Sequence, residues 1–292
     1  MKLSGFSFIK NAIKYDYPIV ESILSILPLV DEYVIAVGNS EDATRALITS
    51  IQSDKIKIID TIWDETIRDG GRVLAVETDK AFAAISPDAD WAIYLQGDEC
   101  FHEKDYDAIR AAMQRNLNDS KVDGLLFDYQ HFYGNYNYVG AGKRWYRNEI
   151  RIIRNNKNIV SWKDAQGFRF KNETKLSVKK INVPIYHYGW VKPPVISNQK
   201  AIYFHTLHDE NFEPTQEQLQ KDFDYHNIDR LSLFAGSHPA VMKERISRVN
   251  WNFEFNHFKK GYKNMKFKHK LSHFVEDVTG YRIGEYKNYK LL

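Results

Sequence analysis

Apolar and polar positions alternate regularly along the first hundred residues. Short runs rich in aliphatic and aromatic residues predict buried strands, and apolar residues at three- or four-residue spacing between them predict helices. The predicted strands are Leu3–Ile9, Tyr33–Val37, Ile56–Ile59 and Trp91–Leu95, and the predicted helices begin at Pro18, Asp42 and Arg72. Strands and helices that alternate at this spacing favour a parallel, doubly wound α/β sheet.

The pattern is less regular after residue 100. We expect a helix over 106–117, a strand over 124–127 and an aromatic loop or hairpin over 129–146. Further strands are predicted at 149–154, 168–170 and 183–188, and helical spacing returns at 197–208, 216–223 and 239–249. This pattern separates an α/β unit at 1–195 from a helical extension at 196–292.

Composition is that of an ordinary globular protein. Hydrophobic residues make up 43% of the 292 residues and charged residues 27%. No apolar run reaches the roughly 20 residues of a membrane span, and the first residues do not resemble a signal peptide, so we expect a cytoplasmic protein. Cys100 is the only cysteine, which excludes an internal disulfide and a cysteine zinc cluster.

Two adjacent acids end the fourth predicted strand, in the segment Gln96-Gly97-Asp98-Glu99. The carboxyl edge of an open α/β sheet is the usual place for ligands. Hard carboxylate oxygens there suit Mg²⁺ or Mn²⁺, which would in turn hold a diphosphate. The alternative is a solvated turn whose acids cap the helix that begins near Lys104.

This segment resembles the metal-binding signature of family 2 glycosyltransferases, which is usually written Asp-x-Asp with a following Glu. The resemblance implies the GT-A fold, with a mixed, mostly parallel sheet flanked by helices. It also implies that Asp98 is a ligand of Mn²⁺ or Mg²⁺, that Gln96 and Gly97 contact the nucleotide sugar, and that Glu99 lies on the acceptor side. Gln96 replaces the first acid of the signature, which weakens ionic metal binding.

The resemblance extends over residues 1 to about 190 and implies further contacts with the nucleotide sugar. The first strand and its following loop resemble the segment that lies against the base, and the acidic turn after the second strand also faces it. Arg72 opens a helix near the diphosphate, where a helix amino terminus plus a cation favours an anion. These implied donor-binding residues are Ser7, Asn11, Asn39, Ser40, Asp42 and Arg72.

A second acidic segment lies past the metal strand, at Trp162-Lys163-Asp164-Ala165-Gln166-Gly167. Inverting sugar transfer requires a carboxylate that deprotonates the acceptor hydroxyl. The family often carries such an acid at this distance, which makes Asp164 the candidate base and Glu173 the runner-up. Trp162 would stack on the acceptor. The alternative for Asp164 is an ordinary turn acid before Gly167.

His187 ends the predicted strand at 183–188. Imidazole suits Mn²⁺ better than Mg²⁺, and a histidine here would complete the metal coordination, as in several GT-A enzymes. The alternative is a hydrogen-bonded core histidine. Lys192 follows in a segment, with Lys200 and His205, that would fold over the diphosphate.

The carboxy-terminal region is basic. Residues 257–292 contain nine Lys and Arg against three Asp and Glu, and the run Lys259–Lys270 holds six lysines and no acid. Such a run suits peripheral contact with an anionic membrane surface or an acidic acceptor. No recognisable nucleic-acid module accompanies it, which argues against nucleic acid as a partner. A solvated basic helix face is the alternative.

The sequence therefore predicts a glycosyltransferase that moves a sugar from a nucleoside-diphosphate sugar to a hydroxyl of a glycan or lipid-linked acceptor, in glycan or polysaccharide biosynthesis. Residues 1–195 would form the catalytic domain, with 1–100 as the nucleotide-sugar half and 101–195 as the acceptor half. One alternative is a nucleotidyltransferase, although the loop after the first strand lacks glycine. Another is a non-catalytic binding module of the same fold, which Gln96 leaves open.

Overall fold

The computed structural model describes residues 1–228, 230–255 and 267–292. Its helices are α1 Ile19–Ile26, α2 Thr44–Thr49, α3 Arg72–Ala83, α4 Tyr106–Arg115, α5 Pro194–His208, α6 Gln216–Gln220, α7 Lys243–Ser247 and α8 Phe267–Thr279. Its strands are β1 Leu3–Ile9, β2 Glu32–Gly38, β3 Ile56–Thr61, β4 Trp91–Tyr94, β5 Glu99–Cys100, β6 Gly124–Tyr133, β7 Asn135–Gly140, β8 Asn148–Arg154, β9 Ile159–Trp162, β10 Gly167–Phe170, β11 Ser177–Trp190, β12 Leu231–Leu233 and β13 Lys290–Leu291.

One large mixed sheet organises the molecule. Strands β3, β2, β1 and β4 lie side by side and parallel, in that order. Strand β8 then pairs antiparallel with both β4 and β6, and β11 runs parallel to β6. The α/β class with a mixed sheet and flanking helices, expected from the sequence, is confirmed. The carboxyl ends of β1 and β4 meet at one edge, where a ligand site is expected.

Alternating side chains of the sheet form two separate cores. On β4, Trp91 and Ile93 face one side and Ala92 and Tyr94 face the other, as the two-residue period of a strand requires. Helices α1, α2 and α4 pack their apolar residues on the first face. Helix α3 and the end of α5 cover the second. Because both faces are covered, the central strands are apolar almost throughout.

Most predicted elements are present with shifted ends. The first strand has the predicted bounds, whereas α2 is much shorter than the predicted helix from Asp42 to Ser53. The aromatic segment at 129–146 forms a hairpin from the end of β6 and all of β7. The strand expected at 183–188 is the last part of β11, which has 14 residues. The helix expected at 239–249 is a short 3₁₀ turn followed by α7.

The carboxy-terminal region carries helices α5 to α8 and also extends the main sheet. Strand β12 pairs with β7, and β13 pairs with β11. Residues 259–266 of the lysine-rich run predicted to contact a membrane surface lie outside the described residues. Among the described helices, none has the length and apolar character that crossing a bilayer requires.

Candidate active site

A cavity of about 980 Å³ opens at the carboxyl edge of the sheet. Its floor contains Gln96, Gly97 and Asp98, which follow β4, and His187 from β11. Helix α5 forms one wall with Lys200, Phe204, Leu207 and His208, which share one face of the helix. The segment 221–227 closes the far side. Among the predicted residues, the structure thus brings these to one cavity: Gln96, Gly97, Asp98, Asp164, His187, Lys200 and His205.

Asp98 is the charged centre of the cavity floor. It is 6% exposed, and its backbone carbonyl accepts a hydrogen bond from the Tyr188 amide at 2.8 Å. Lys200 Nζ lies 3.1 Å from Asp98 Oδ2 and also donates to the Gly189 carbonyl. Burial favours the neutral acid, but Lys200, His187 and Lys192 nearby and the hydrogen bond from Lys200 together outweigh it and hold the pKa of Asp98 well below its usual range. Asp98 is therefore an ionised carboxylate.

Two histidines continue this network into the protein. His187 Nε2 lies 3.7 Å from Asp98 Oδ1, which is longer than a hydrogen bond. His187 Nδ1 and His131 Nδ1 are 3.0 Å apart and hydrogen-bonded, and His131 Nε2 lies 2.9 Å from the Tyr146 carbonyl oxygen. Burial lowers the pKa of both imidazoles, so both rings are neutral near pH 7.

The donor set at this point fits a divalent metal. Asp98 offers a carboxylate oxygen and His187 a ring nitrogen, with the two atoms facing each other across 3.7 Å. A bound diphosphate and water would supply the remaining ligands, as is usual where substrate phosphates share the metal. The described residues contain no group of three or more His, Cys, Asp or Glu arranged to hold a metal on their own.

Glu99 is placed differently from the acceptor-side role expected of it. It is fully buried, and Arg151 donates to both of its carboxylate oxygens. The Tyr129 hydroxyl and the backbone amide of Gln96 also donate to this carboxylate. Glu99 does not line the cavity, and its partners leave it no free oxygen for an acceptor. Its contacts hold the segment that carries Asp98 against the sheet.

Most of the implied base-binding residues hold two loops together. The backbone amide of Asn11 donates to Ser40 Oγ, and the side-chain oxygen Asn11 Oδ1 accepts from the backbone amide of Glu41. Asp42 accepts from the amides of Lys14 and Thr44. These contacts join the loop after β1 to the loop after β2, where nucleoside binding was expected. None of these side chains is among the residues that line the cavity.

The other implied donor-binding residues also lie outside the cavity lining. The buried hydroxyl of Ser7 donates to the Leu95 carbonyl at 2.5 Å, and Asn39 Oδ1 accepts from the Trp63 amide. Arg72 is exposed at the start of α3. Lys192 is fully buried and donates to the Asp16 carbonyl at 2.7 Å. The lysine that reaches the cavity from this part of the chain is Lys200.

Asp164 lies in the cavity wall. Its side chain is 39% exposed, and Oδ2 is 3.7 Å from Nε2 of His208. The carboxylate of Asp164 raises the pKa of His208 above its ordinary value. The loop that holds Asp164 is tight, because its neighbours Lys163 and Ala165 have φ values of 54° and 63°. Gln96 Nε2 donates to the Ala165 carbonyl at 3.1 Å and so connects this loop to the segment that carries Asp98.

The two other acceptor-side candidates lie outside the cavity lining. Trp162 is at the end of β9, and the Arg169 guanidinium stacks on its ring at 3.8 Å. Glu173 is exposed in a turn with a φ of 64°. Of the two candidate bases, Asp164 is the one that faces the cavity.

Several cavity residues were not predicted from the sequence. His131 is near the end of β6, and sequence spacing does not reveal that β6 pairs with β11 and so places His131 next to His187. The aromatic side chains that line the cavity come from separate segments for the same reason. They are Tyr133, Trp145, Tyr146, Trp190 and Phe223. The aromatic density of 129–146 was the available signal.

No known protein family and no curated protein matches the chain in sequence. Solved structures of similar fold include S. aureus TarS 1–349 in complex with UDP-GlcNAc, at 13% identity and a TM-score of 0.41. That match covers 70% of this chain and 65% of the TarS chain. In the TarS 1–349 structure without ligand, the match covers 64% of the TarS chain. The chain thus spans slightly less than two thirds of these relatives.

Two further solved structures match part of the chain. One is glucosyl-3-phosphoglycerate synthase from Mycobacterium tuberculosis, in complex with Mn²⁺, UDP and phosphoglyceric acid. It is 20% identical, with a TM-score of 0.29, over 45% of this chain and 43% of its own. The other is 4-diphosphocytidyl-2C-methyl-D-erythritol synthase from Anaerococcus prevotii, 11% identical, with a TM-score of 0.39, over 70% of this chain and 94% of its own.

Proposed function

We propose that this protein is a glycosyltransferase that moves a sugar from a nucleoside-diphosphate sugar to an acceptor hydroxyl. The observation that carries the proposal is the placement of two kinds of group around one cavity. Asp98 and His187 lie at the floor with Lys200 of α5 beside them, a set that would hold a metal and a diphosphate, and a half-exposed carboxylate, Asp164, lies in the wall. Sugar transfer needs both a site for the leaving diphosphate and a base for the acceptor.

The diphosphate would bind at the cavity floor beside Asp98. Asp98 Oδ1 and His187 Nε2 would hold Mn²⁺ or Mg²⁺, which neutralises the charge that develops on the leaving diphosphate. Lys200 adds a fixed positive charge at the same place, because its ammonium lies 3.1 Å from Asp98. Gly97 in the same floor segment packs against the core, since a Cβ there would meet Ile9 Cδ1 at 2.8 Å, so this segment requires glycine.

Asp164 would act as the base. The acceptor oxygen forms a bond to the anomeric carbon, its proton passes to Asp164, and the bond from the anomeric carbon to the diphosphate breaks. A single displacement of this kind inverts the anomeric configuration. The neighbouring His208 imidazole is held close to the Asp164 carboxylate and would help to retain the charge of that group before proton transfer.

The acceptor would enter from the aromatic end of the cavity. The rings of Trp145 and Trp190 lie 6.4 Å apart, and Phe223 packs 5.8 Å from Trp190. Aromatic faces suit the apolar faces of sugar rings, while Arg144, Asp222 and Asn227 nearby offer hydrogen bonds. We propose a glycan or lipid-linked sugar as the acceptor, in glycan or polysaccharide biosynthesis.

A thermal-shift screen tests the donor site. Nucleoside diphosphates and their sugar conjugates are added to the protein with Mn²⁺, with Mg²⁺ or with EDTA. A ligand that binds the native state raises the unfolding temperature, so at least one nucleotide should stabilise the parent. The stabilisation should fall when the metal is removed and in Asp98→Ala. The absence of a nucleotide-dependent shift in every condition would overturn the proposal.

Turnover separates the proposal from its alternatives. A glycosyltransferase should release a nucleoside diphosphate from the stabilising nucleotide sugar when an acceptor is present. Release of pyrophosphate from a nucleoside triphosphate would instead identify a nucleotidyltransferase. Binding without turnover for all acceptors, with unchanged affinity in Asp164→Asn, would identify a binding module.

A further inference from the structure

We propose that His131 is a positioning residue for the metal site, because it sets which nitrogen of His187 carries the proton. In this arrangement the lone pair of His187 Nε2 faces the Asp98 carboxylate and is ready to bind a divalent cation. The inference rests on the proposed function, since it concerns the metal that would hold the donor diphosphate. It assigns a role to a residue that does not itself touch the metal or the substrate.

Strand order explains why the two histidines meet. His187 on β11 is in register with His131 on β6, and on the other side with Glu99 on β5. The three positions lie on neighbouring strands directly beside Asp98. His131 is buried, with its ring packed edge-on against Tyr146 at 4.4 Å between centroids. The ring position of His131 is thus set by the sheet and by its aromatic neighbour.

The hydrogen-bond partners determine, one ring after the other, which nitrogens of His131 and His187 carry a proton. The Tyr146 carbonyl can only accept, so His131 must carry its proton on Nε2, which lies 2.9 Å away. A neutral His131 then presents an unprotonated Nδ1 to His187 at 3.0 Å. His187 must donate its own Nδ1 proton into that contact. Neutral His187 therefore has no proton on Nε2.

The result is a pair of acceptors that face each other. His187 Nε2 and Asp98 Oδ1 are 3.7 Å apart, and no proton is available to join them. Two facing lone pairs are stabilised by a cation between them. Metal-bound histidines commonly donate their second ring proton to a fixed acceptor, which sets the tautomer and the ring orientation. Here the acceptor is His131 rather than a carboxylate or a carbonyl.

Two isosteric variants of His131 separate this role from simple packing. In His131→Asn, the side-chain amide oxygen stands where Nδ1 stood and can still accept from His187. In His131→Gln, the amide stands where Nε2 stood and reaches the Tyr146 carbonyl, but offers His187 no acceptor. Both variants replace the ring by an amide in the same cavity, so packing loss affects both. Thermal unfolding of each variant verifies that it is folded.

The measurement is the affinity for Mn²⁺ alone, from the decrease of the free-ion electron paramagnetic resonance signal during titration. We expect His131→Gln to bind Mn²⁺ about 10- to 100-fold more weakly than the parent, as for other residues that orient a metal ligand. His131→Asn should retain an affinity within a few-fold of the parent. His187→Ala removes the proposed ligand, so its loss of Mn²⁺ affinity should equal or exceed that of His131→Gln.

Equal Mn²⁺ affinity in the parent, His131→Gln and His131→Asn would overturn the inference, and so would equal losses in both variants. Metal binding by the parent that is unaffected by His187→Ala would also overturn it. Each of these outcomes leaves sugar transfer to be judged by turnover with nucleotide sugar. The absence of turnover, with the expected order of Mn²⁺ affinities, would instead reject the proposed function and keep the metal site.

Discussion

Arg151 and Glu99 form a doubly hydrogen-bonded ion pair in the centre of the protein. Arg151 Nε donates to Glu99 Oε2 and Nη2 donates to Oε1, each at 2.8 Å, and both side chains are fully buried. The guanidinium also donates to the Gln166 carbonyl and lies between the rings of Tyr94 and Tyr129. The pair therefore connects the segment that carries Asp98 to the loop that carries Asp164.

Removing one partner of this pair should destabilise the fold strongly. Arg151→Met leaves the Glu99 carboxylate buried without its counter-charge, which costs about 3–5 kcal/mol of unfolding free energy. Urea denaturation measures the loss. Arg45→Met is the matched control, because the Arg45–Asp60 pair is well exposed and should contribute little to stability. Comparable losses in the two variants would contradict the structural role of Arg151.

Glu149 should make stability depend on pH. Burial raises the pKa of this carboxyl from 4.5 to about 8, and its Oε2 has no hydrogen-bond partner among the described residues. The folded protein therefore holds a proton that the unfolded chain releases, and stability falls as pH rises from about 4.5 to 8.

Glu149→Gln removes this titration. Its unfolding free energy relative to the parent should increase by about 1.4 kcal/mol for each pH unit between these limits and level off above pH 8. Urea denaturation at several pH values measures the difference. A difference that stays constant from pH 5 to pH 8.5 would show that Glu149 ionises normally in the folded protein.

Asp164 should be required for turnover but not for donor binding. Asp164→Asn keeps the size of the side chain and removes the proton acceptor, so the rate of sugar transfer should fall by about 10²–10⁴. The affinity for the donor should stay close to that of the parent, which calorimetry measures. Glu173→Gln is the control, because Glu173 is exposed outside the cavity lining and its loss should leave the rate unchanged. The reverse result would make Glu173 the base.

Gly71 should tolerate a side chain less well than its neighbour Gly70. Both have positive φ, 76° and 54°, so alanine costs about 1–2 kcal/mol at either position. A Cβ at Gly71 would also approach His208 Nε2 to 2.7 Å and Asp164 Cβ to 2.9 Å, whereas Gly70 has no such neighbour within 4 Å. Gly71→Ala should therefore lower both stability and turnover, and Gly70→Ala should lower stability alone. Parallel denaturation and rate measurements distinguish the two.

Local sequence patterns were sufficient to predict the central strands. Trp91 to Tyr94 are all buried because the sheet is covered on both faces. A continuous apolar run in the sequence indicates a strand of this kind. The turn that follows was also recognisable, since Asp98 interrupts such a run. The lengths of β6 and β11 were underestimated, because both continue through polar residues whose partners lie far away in the sequence.

The surroundings of Asp98 and Glu99 could not be predicted from the sequence, because they depend on the tertiary structure. Both acids were expected at the ligand site, Asp98 as a metal ligand and Glu99 on the acceptor side, yet Asp98 faces the cavity with Lys200, and Glu99 is enclosed by Arg151. Their side chains point in opposite directions from one short segment. The residues that enclose each side chain are distant in the chain. Arg151 is 52 positions from Glu99, and Lys200 is 102 positions from Asp98.

The amino-acid sequence alone determined the succession of strands and helices and the acidic turn at a sheet edge, because these depend on residues close together in the chain. Only the tertiary structure decided which polar side chains share the cavity. His187 and Lys200 meet Asp98, and His131 meets His187, because β6, β11 and α5 converge on one edge of the sheet. That convergence follows from strand order and packing, which local spacing does not encode.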